Sequence, residues 1–375
     1  MWPNFTAKCI KDVTSLLRSG KSLTAYRANA QWGVKPQPWS QVHAFERELE
    51  KAFDVRHAVA CNSGTMALTA AIKALGLPPG SGIVTTPYSF SATSAAIVIA
   101  GHVPQYADID PYSFVVTKET IKAAVTRKTK ALLPVDLFGY VQDYGPLREF
   151  GLPIIQDACQ SQGAWRSDAQ PYEDGCGKRA YLHGDIAVGS GNGGKNLPVG
   201  EGGWAYTNSA KYADRMRRYI NHGCNFGDAT VGVNGRMHEL VAILARHGLR
   251  ELEAMNEQRR ELAIRVASKL AALQDRPTYT YFVLGAHVYY VVPHLLPPQV
   301  NRSTFIKRCA KRGLNVQAGY TLPLHHLPAF KRYAHGPLPV VDDVHDRLVL
   351  LTNLTPDASL KTADWTADVI SEALK

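Results

Sequence analysis

From about residue 57 onward, short apolar runs rich in β-branched residues alternate with longer stretches whose apolar positions recur at helical spacing. Gly, Pro or Asn bounds most of the short runs, as strands ending in turns require. Seven strands are expected, at residues 57–61, 82–86, 103–109, 131–136, 153–158, 186–190 and 203–207. Helices are expected at 65–75, 91–100 and 118–125, the first with Leu68, Ala71, Ile72 and Leu75 on one face. Helical crossovers between strands imply mainly parallel pairing. The fold class is therefore α/β, with a mainly parallel seven-stranded sheet flanked by helices.

After about residue 210 the pattern changes to long helical stretches. One runs from 237 to about 273, with Gly248 as a potential break. The remainder reads as a β-rich run (287–292), a helix (303–312), a Pro- and His-containing loop (320–330) and a terminal helix (359–374). A smaller C-terminal α+β domain accounts for these. The expected division is an N-terminal arm (1–35), a large domain (36–245) and a small domain (246–375).

The 375 residues are 45% hydrophobic and 20% charged, which excludes a disordered chain. Lys and Arg exceed Asp and Glu by 42 to 32, a net charge of +10. The basic residues are scattered, with short clusters at Arg215, Arg217 and Arg218 and at Lys307, Arg308, Lys311 and Arg312. No basic arm suited to nucleic acid is present, and a phosphorylated small ligand or a solvated basic face explains the surplus equally well. The six cysteines are far apart without a C-x-x-C pair, so reduced thiols are expected rather than a zinc framework or disulfide scaffold. No metal site is expected. The start lacks a signal-peptide core and no run has membrane-span length, so a soluble, cytoplasmic protein is the reading.

Residues 189–203, GSGNGGKNLPVGEGG, hold seven glycines and one lysine, Lys195. So many glycines permit close backbone approach to a ligand, although an ordinary surface loop has the same composition. Residues 189–196 nearly match a phosphate-binding P-loop, but Asn196 replaces the Ser or Thr hydroxyl and no helix pattern follows. Upstream, Ser63, Gly64 and Thr65 stand where a strand gives way to a helix, a place that caps helices and also binds phosphate. Asp157 stands at the carboxyl end of an apolar strand, the usual ligand position in open α/β sheets. Phosphate cradle, strand-end acid and loop lysine together suggest pyridoxal 5′-phosphate (PLP). That cofactor needs a Schiff-base lysine, an acid at its pyridine nitrogen and donors for its phosphate.

The chain also resembles the DegT/DnrJ/StrS sugar aminotransferases of PLP fold type I. The matching stretches are FERELEKAF, NSGTMAL, TTPYSFSAT, PQYADID through TKALLPVDLFG, IIQDACQSQGA, GKNLPVGEGGWAYTN, GVNGRM and GYTLPLHHLPAF. The resemblance implies that Lys195 links to the cofactor, Asp157 pairs with the pyridine nitrogen, Gln160 contacts the 3-hydroxyl and Phe90 stacks on the ring. It assigns phosphate contacts to Gly64, Thr65, the Met66 amide and Ser190, and to Asn234 of a neighbouring subunit, hence a homodimer with shared active sites. It implies transamination of a keto group on a nucleotide-linked sugar, with an L-amino acid such as glutamate as donor and pyridoxamine 5′-phosphate as the alternate cofactor form. Tyr320 and His325 correspond to a segment lining the sugar site.

The departures concern the acceptor. The family's S-F-H-x-x-K has Gly191 and Asn192 here, GVNGRM has Gly235 where an aromatic is usual, VAILARHGLREL replaces a more regular helix, and residues 166–184 look longer and more polar than the family hairpin. A wider or altered acceptor pocket is the expectation. The competing classes are a PLP-binding regulatory protein without turnover and a nucleic-acid-modifying or nucleotide-hydrolysing protein; the family's dehydratases carry histidine in place of the lysine retained here as Lys195.

Overall fold

A computed structural model describes residues 5–24, 37–167, 179–223, 231–273 and 287–375. An N-terminal helix, α1 (Ala7–Arg18), precedes α2 (Gln41–Ala52). The expected strands then form as β1 (His57–Cys61), β2 (Gly82–Thr85), β3 (Val103–Tyr106), β4 (Thr129–Leu133), β5 (Ile155–Asp157), β6 (Ile186–Ser190) and β7 (Gly203–Thr207). Ladders join them in the orders β1-β7-β6-β5 and β3-β2-β4. Parallel bridges Leu132–Ile154 and Val135–Asp157 link the two groups into one sheet. Only β7 runs against its neighbours β1 and β6; the β5–β6, β2–β3 and β2–β4 pairs are parallel.

Strands β2, β6 and β7 are buried at every position. That is why they read as continuous apolar runs: helices cover both faces of a mainly parallel sheet. The crossovers are α3 (Gly64–Leu75), α4 (Ser91–Ile99) and α5 (Lys118–Ala124). In α3, Ala67, Leu68, Ala71 and Ile72 are almost fully buried, the two larger side chains each contributing about 1.5–3 kcal/mol. Gly76 ends the helix at φ +68, a left-handed conformation that glycine adopts without strain.

After β7 come α6 (Ala210–Tyr219) and α7 (Glu239–Leu273). Helix α7 passes through Gly248 without a break. A Cβ there would make only ordinary contacts with Leu197, and packing on both sides outweighs glycine's cost of about 1 kcal/mol. Its first half packs against Leu197 and Trp204, and its second half against the C-terminal sheet. That sheet is antiparallel, in the order β8 (Val292–Leu295), β10 (Leu348–Leu351), β9 (Val316–Ala318). Helices α8 (Arg302–Lys311), α9 (Pro339–Arg347) and α10 (Leu360–Ala373) complete this smaller α+β part.

The strand expected at 287–292 begins only at Val292, because Tyr289 sits at φ +44 and the His287 Nδ1 accepts the Tyr289 N–H at 2.9 Å. A two-residue ladder pairs Arg166–Ser167 with Arg179–Ala180; residues 168–178 of the polar insertion lie outside the described residues. Cys9, Cys61, Cys159 and Cys309 are free thiols, while Cys176 and Cys224 also lie outside them. Among the described residues no helix is long and apolar enough to cross a membrane.

Candidate active site

The site lies at the carboxyl ends of β1, β5 and β6. Strand β1 ends at Cys61, and Ser63 caps α3 by accepting the Met66 N–H at 3.1 Å. The N–H groups of Gly64 and Thr65, in the first turn, have no intrahelical acceptor and carry the positive end of the helix dipole. A Cβ on Gly64 would lie 2.8 Å from the Ser190 Cβ and 3.4 Å from the Cys159 Sγ. The close approach requires glycine, and it brings the helix start, the end of β6 and the turn after β5 into contact.

Asp157 ends β5 and is 3% exposed. Its Oδ2 accepts from the Thr93 hydroxyl at 2.9 Å, and its Oδ1 accepts from the Cys159 N–H at 3.2 Å. Thr93 in turn lies 3.0 Å from the Ser89 hydroxyl. Two residues beyond Asp157, burial pushes the Cys159 thiol well above its ordinary value; the Asp157 carboxylate raises it further and the Lys195 ammonium opposes it. Acid, thiol and lysine therefore share one electrostatic environment.

Lys195 sits on the glycine turn between β6 and β7, its backbone N–H donating to the Asn192 carbonyl at 2.9 Å. Its half-buried ammonium lies 4.3 Å from the centre of the Tyr290 ring. The Gly139 conformation, φ +103, lets residues 288–290 pass beside this turn, since a Cβ on Gly139 would lie 2.9 Å from the Tyr290 nitrogen. Because the loop joins two antiparallel strands with Ser190 opposite Gly203, no helix follows the lysine. The nucleotide-hydrolase arrangement is thereby excluded.

Gln160 is buried, accepting the Phe138 N–H through Oε1 at 3.0 Å and donating from Nε2 to the Tyr320 hydroxyl at 3.1 Å. Burial, the largest influence, raises the Tyr320 phenol strongly. Phe90 precedes α4 and is 60% exposed. Ser190 is buried. Asn234 is exposed and bridges to Asn221, with Asn62, just past β1, donating to its carbonyl at 3.5 Å. His325 stands apart: its buried ring lies beside His326, Tyr106 and Asp342.

No open space lies directly beside Gly191 or Gly235. A Cβ on Gly191 would overlap Val199 and lie 3.2 Å from the Trp204 ring. Trp204, on the adjoining strand, is fully buried and edge-on to Phe45 at 5.4 Å. Likewise a Cβ on Gly235 would lie 2.7 Å from the Met66 Cγ. In both cases a neighbouring side chain occupies the space beside the glycine.

All five arginines of the basic clusters are engaged within the chain. Arg215 donates to the Ala74 and Leu75 carbonyls at the end of α3, Arg217 to Ala58, and Arg308 to Ala373; Arg218 and Arg312 pair with Asp214 and Glu372.

Three residues near the site escape sequence reading. Thr93 lies within TTPYSFSAT, but its aim at Asp157 depends on how α4 crosses the sheet. Tyr290 is 95 residues from Lys195 and carries no local signal. Asp136, fully buried, accepts from Tyr144, Gln156 and Ser161, and burial nevertheless pushes its carboxyl up to about 7.

This sheet order, with a lysine turn facing a strand-end acid and a helix start, is the architecture of the fold type I aminotransferases. The DegT/DnrJ/EryC1/StrS aminotransferase family matches residues 23–370, and the chain belongs to it. GDP-perosamine synthase of Caulobacter vibrioides is 31% identical over 321 residues, covering 81% of this chain and 83% of that one. The UDP-2-acetamido-2-deoxy-3-oxo-D-glucuronate aminotransferase of Pseudomonas aeruginosa is 32% identical over 305 residues, 77% and 79% of the two chains. Among solved structures, S. venezuelae DesV in complex with a ketimine intermediate superposes with a TM-score of 0.85 at 26% identity, covering 98% of this chain and 95% of that one.

Proposed function

We propose that this chain is a PLP-dependent transaminase that moves an amino group from an L-amino acid, glutamate foremost, to a keto group on a nucleotide-linked sugar or related ketone. The observation that carries this reading is the contact of Gly64 with Ser190 and Cys159, which draws helix start, strand-end acid and lysine turn into one site. The relatives named above, acting on sugar nucleotides by their names, support the acceptor class.

The residues suit the cofactor. The N–H groups of Gly64 and Thr65, which have no intrahelical acceptor, would with the Thr65 and Ser190 hydroxyls form a phosphate cradle at a helix N-terminus. The Met66 amide already serves Ser63, so it would share its hydrogen between the two. Asp157, oriented by Thr93 and the Cys159 N–H, would hold a proton at the pyridine nitrogen. Gln160 would face the 3-hydroxyl and Phe90 the ring. Asn234 of a second subunit would complete the phosphate site, making the enzyme a homodimer.

When bound, PLP supplies an electron sink for charge developing on the substrate carbon. Lys195 Nζ, on the turn between β6 and β7, would take up and return the proton of the substrate carbon, as base and then acid. Tyr320, held by Gln160, would face the acceptor, and His325 lies on the same loop.

The test is the absorbance of PLP-loaded protein before and after L-glutamate, with Lys195→Ala alongside. Bleaching with release of 2-oxoglutarate in the wild type, and neither in the variant, is expected. Failure to bind PLP would overturn the reading, and a chromophore unchanged by any amino acid would replace it with a regulatory role.

A further inference from the structure

Away from Lys195, one more set of ligand-type side chains converges. His325 and His326 occupy the turn Leu324–His326, and Asp342 lies in α9. The two Nε2 atoms are 3.2 and 2.9 Å from the same oxygen, Asp342 Oδ1. One ligand atom from each residue lies within 4.8 Å of the others.

Hydrogen bonding among the described residues accounts for only part of this arrangement. His326 does bond Asp342, but neither ring nitrogen of His325 has a hydrogen-bond partner, although the residue is only 5% exposed. Its Nε2 is near Oδ1 without the angle a hydrogen bond needs. A buried imidazole in that condition bears the desolvation cost of an unmade bond. A metal ion removes that cost by taking the ring lone pair.

The spacing agrees. In a tetrahedral zinc site with bonds of about 2.0–2.2 Å, ligand atoms lie roughly 3.3–3.5 Å apart. The two imidazole–carboxylate edges, 3.2 and 2.9 Å, are slightly shorter, as expected where a hydrogen bond and charge draw the unmetallated groups together. Two imidazoles and one carboxylate suit a first-row divalent ion of the zinc class, whereas magnesium and calcium take oxygen ligands. His326 and Asp342 are 48% and 46% exposed in their side chains, leaving solvent a route to a fourth position.

We propose that His325, His326 and Asp342 bind a divalent zinc-class cation with one open coordination position. The ion ties the loop at 320–330 to α9. Tyr320, on the same loop, is thereby steadied against Gln160. This binding is separate from the transaminase reading, since it needs neither PLP nor turnover.

The experiment titrates Zn2+ alone into chelator-treated full-length protein, followed by calorimetry and by an anomalous difference map. His326→Ala and Asp342→Asn are compared, both at half-exposed positions where substitution spares the core. One ion per chain with density between the three side chains is expected, with affinity lowered roughly tenfold or more in each variant. Equal binding by wild type and both variants, or no ion at this site in wild type, would overturn the proposal.

Discussion

Trp204 offers the sharpest test of how bulk is distributed around the lysine turn. Its ring is fully buried, its Nε1 donates to Gln162 at 2.8 Å, and Phe45 meets it edge-on. A Cβ on Gly189 would overlap Nε1 and lie 2.5 Å from Cε2, with the Gln162 Oε1 2.8 Å away. Gly189→Ala should therefore cost about 1–3 kcal/mol through overpacking. Trp204→Ala should cost about 3–5 kcal/mol through the cavity it leaves, and more if Gln162 loses its donor. In the double variant the added methyl enters the vacated space. Its cost should then fall near zero, giving a coupling of about 1–3 kcal/mol in urea denaturation. Costs that simply add, within about 0.5 kcal/mol, would show that Trp204 does not set the glycine requirement and refute the reasoning.

Thr93→Val removes the hydroxyl donor to Asp157 while keeping its shape, and should lower kcat for the glutamate half-reaction about tenfold, for a loss of about 1.5 kcal/mol, with Thr93→Ser close to wild type; equal rates in all three would sink the orienting role. The Asp136 carboxyl rises from 3.8 to about 7 on folding, so it favours the fold when protonated, and that stability is lost as pH climbs from about 4 through 7. Asp136→Asn stays neutral and should flatten this decline by at most about 1.4 kcal/mol per pH unit, whatever its absolute stability; urea midpoints measured across that range should not run parallel to wild type. Glu239 is fully buried and accepts from the Ser40 hydroxyl and from the Gln41 and Val42 N–H groups at the start of α2. Glu239→Ala should cost about 2 kcal/mol or more, seen as a lowered urea midpoint with unchanged m-value.

Most of the strands were legible because burial on both faces writes itself as unbroken apolar runs, as in β2 and β6. Boundaries moved where hydrogen bonds outside the element intervened. Strand β8 starts late because Tyr289 is turned by His287, a contact the apolar spacing of 287–292 does not record. Gly248 looked like a break, yet α7 continues because its two halves are held by separate cores.

The sequence by itself determined the α/β order, the family, and the three motifs around Ser63, Asp157 and Lys195, because each is a contiguous run and the three together match the needs of one cofactor. Only the tertiary structure decided what surrounds them. Thr93 reaching Asp157, Tyr290 beneath Lys195, Trp204 filling the space over Gly191 and Asp342 meeting two histidines all join residues remote in the chain. Such contacts depend on how helices cross the sheet and on which side chain occupies a shared volume. Spacing along one chain carries no record of either.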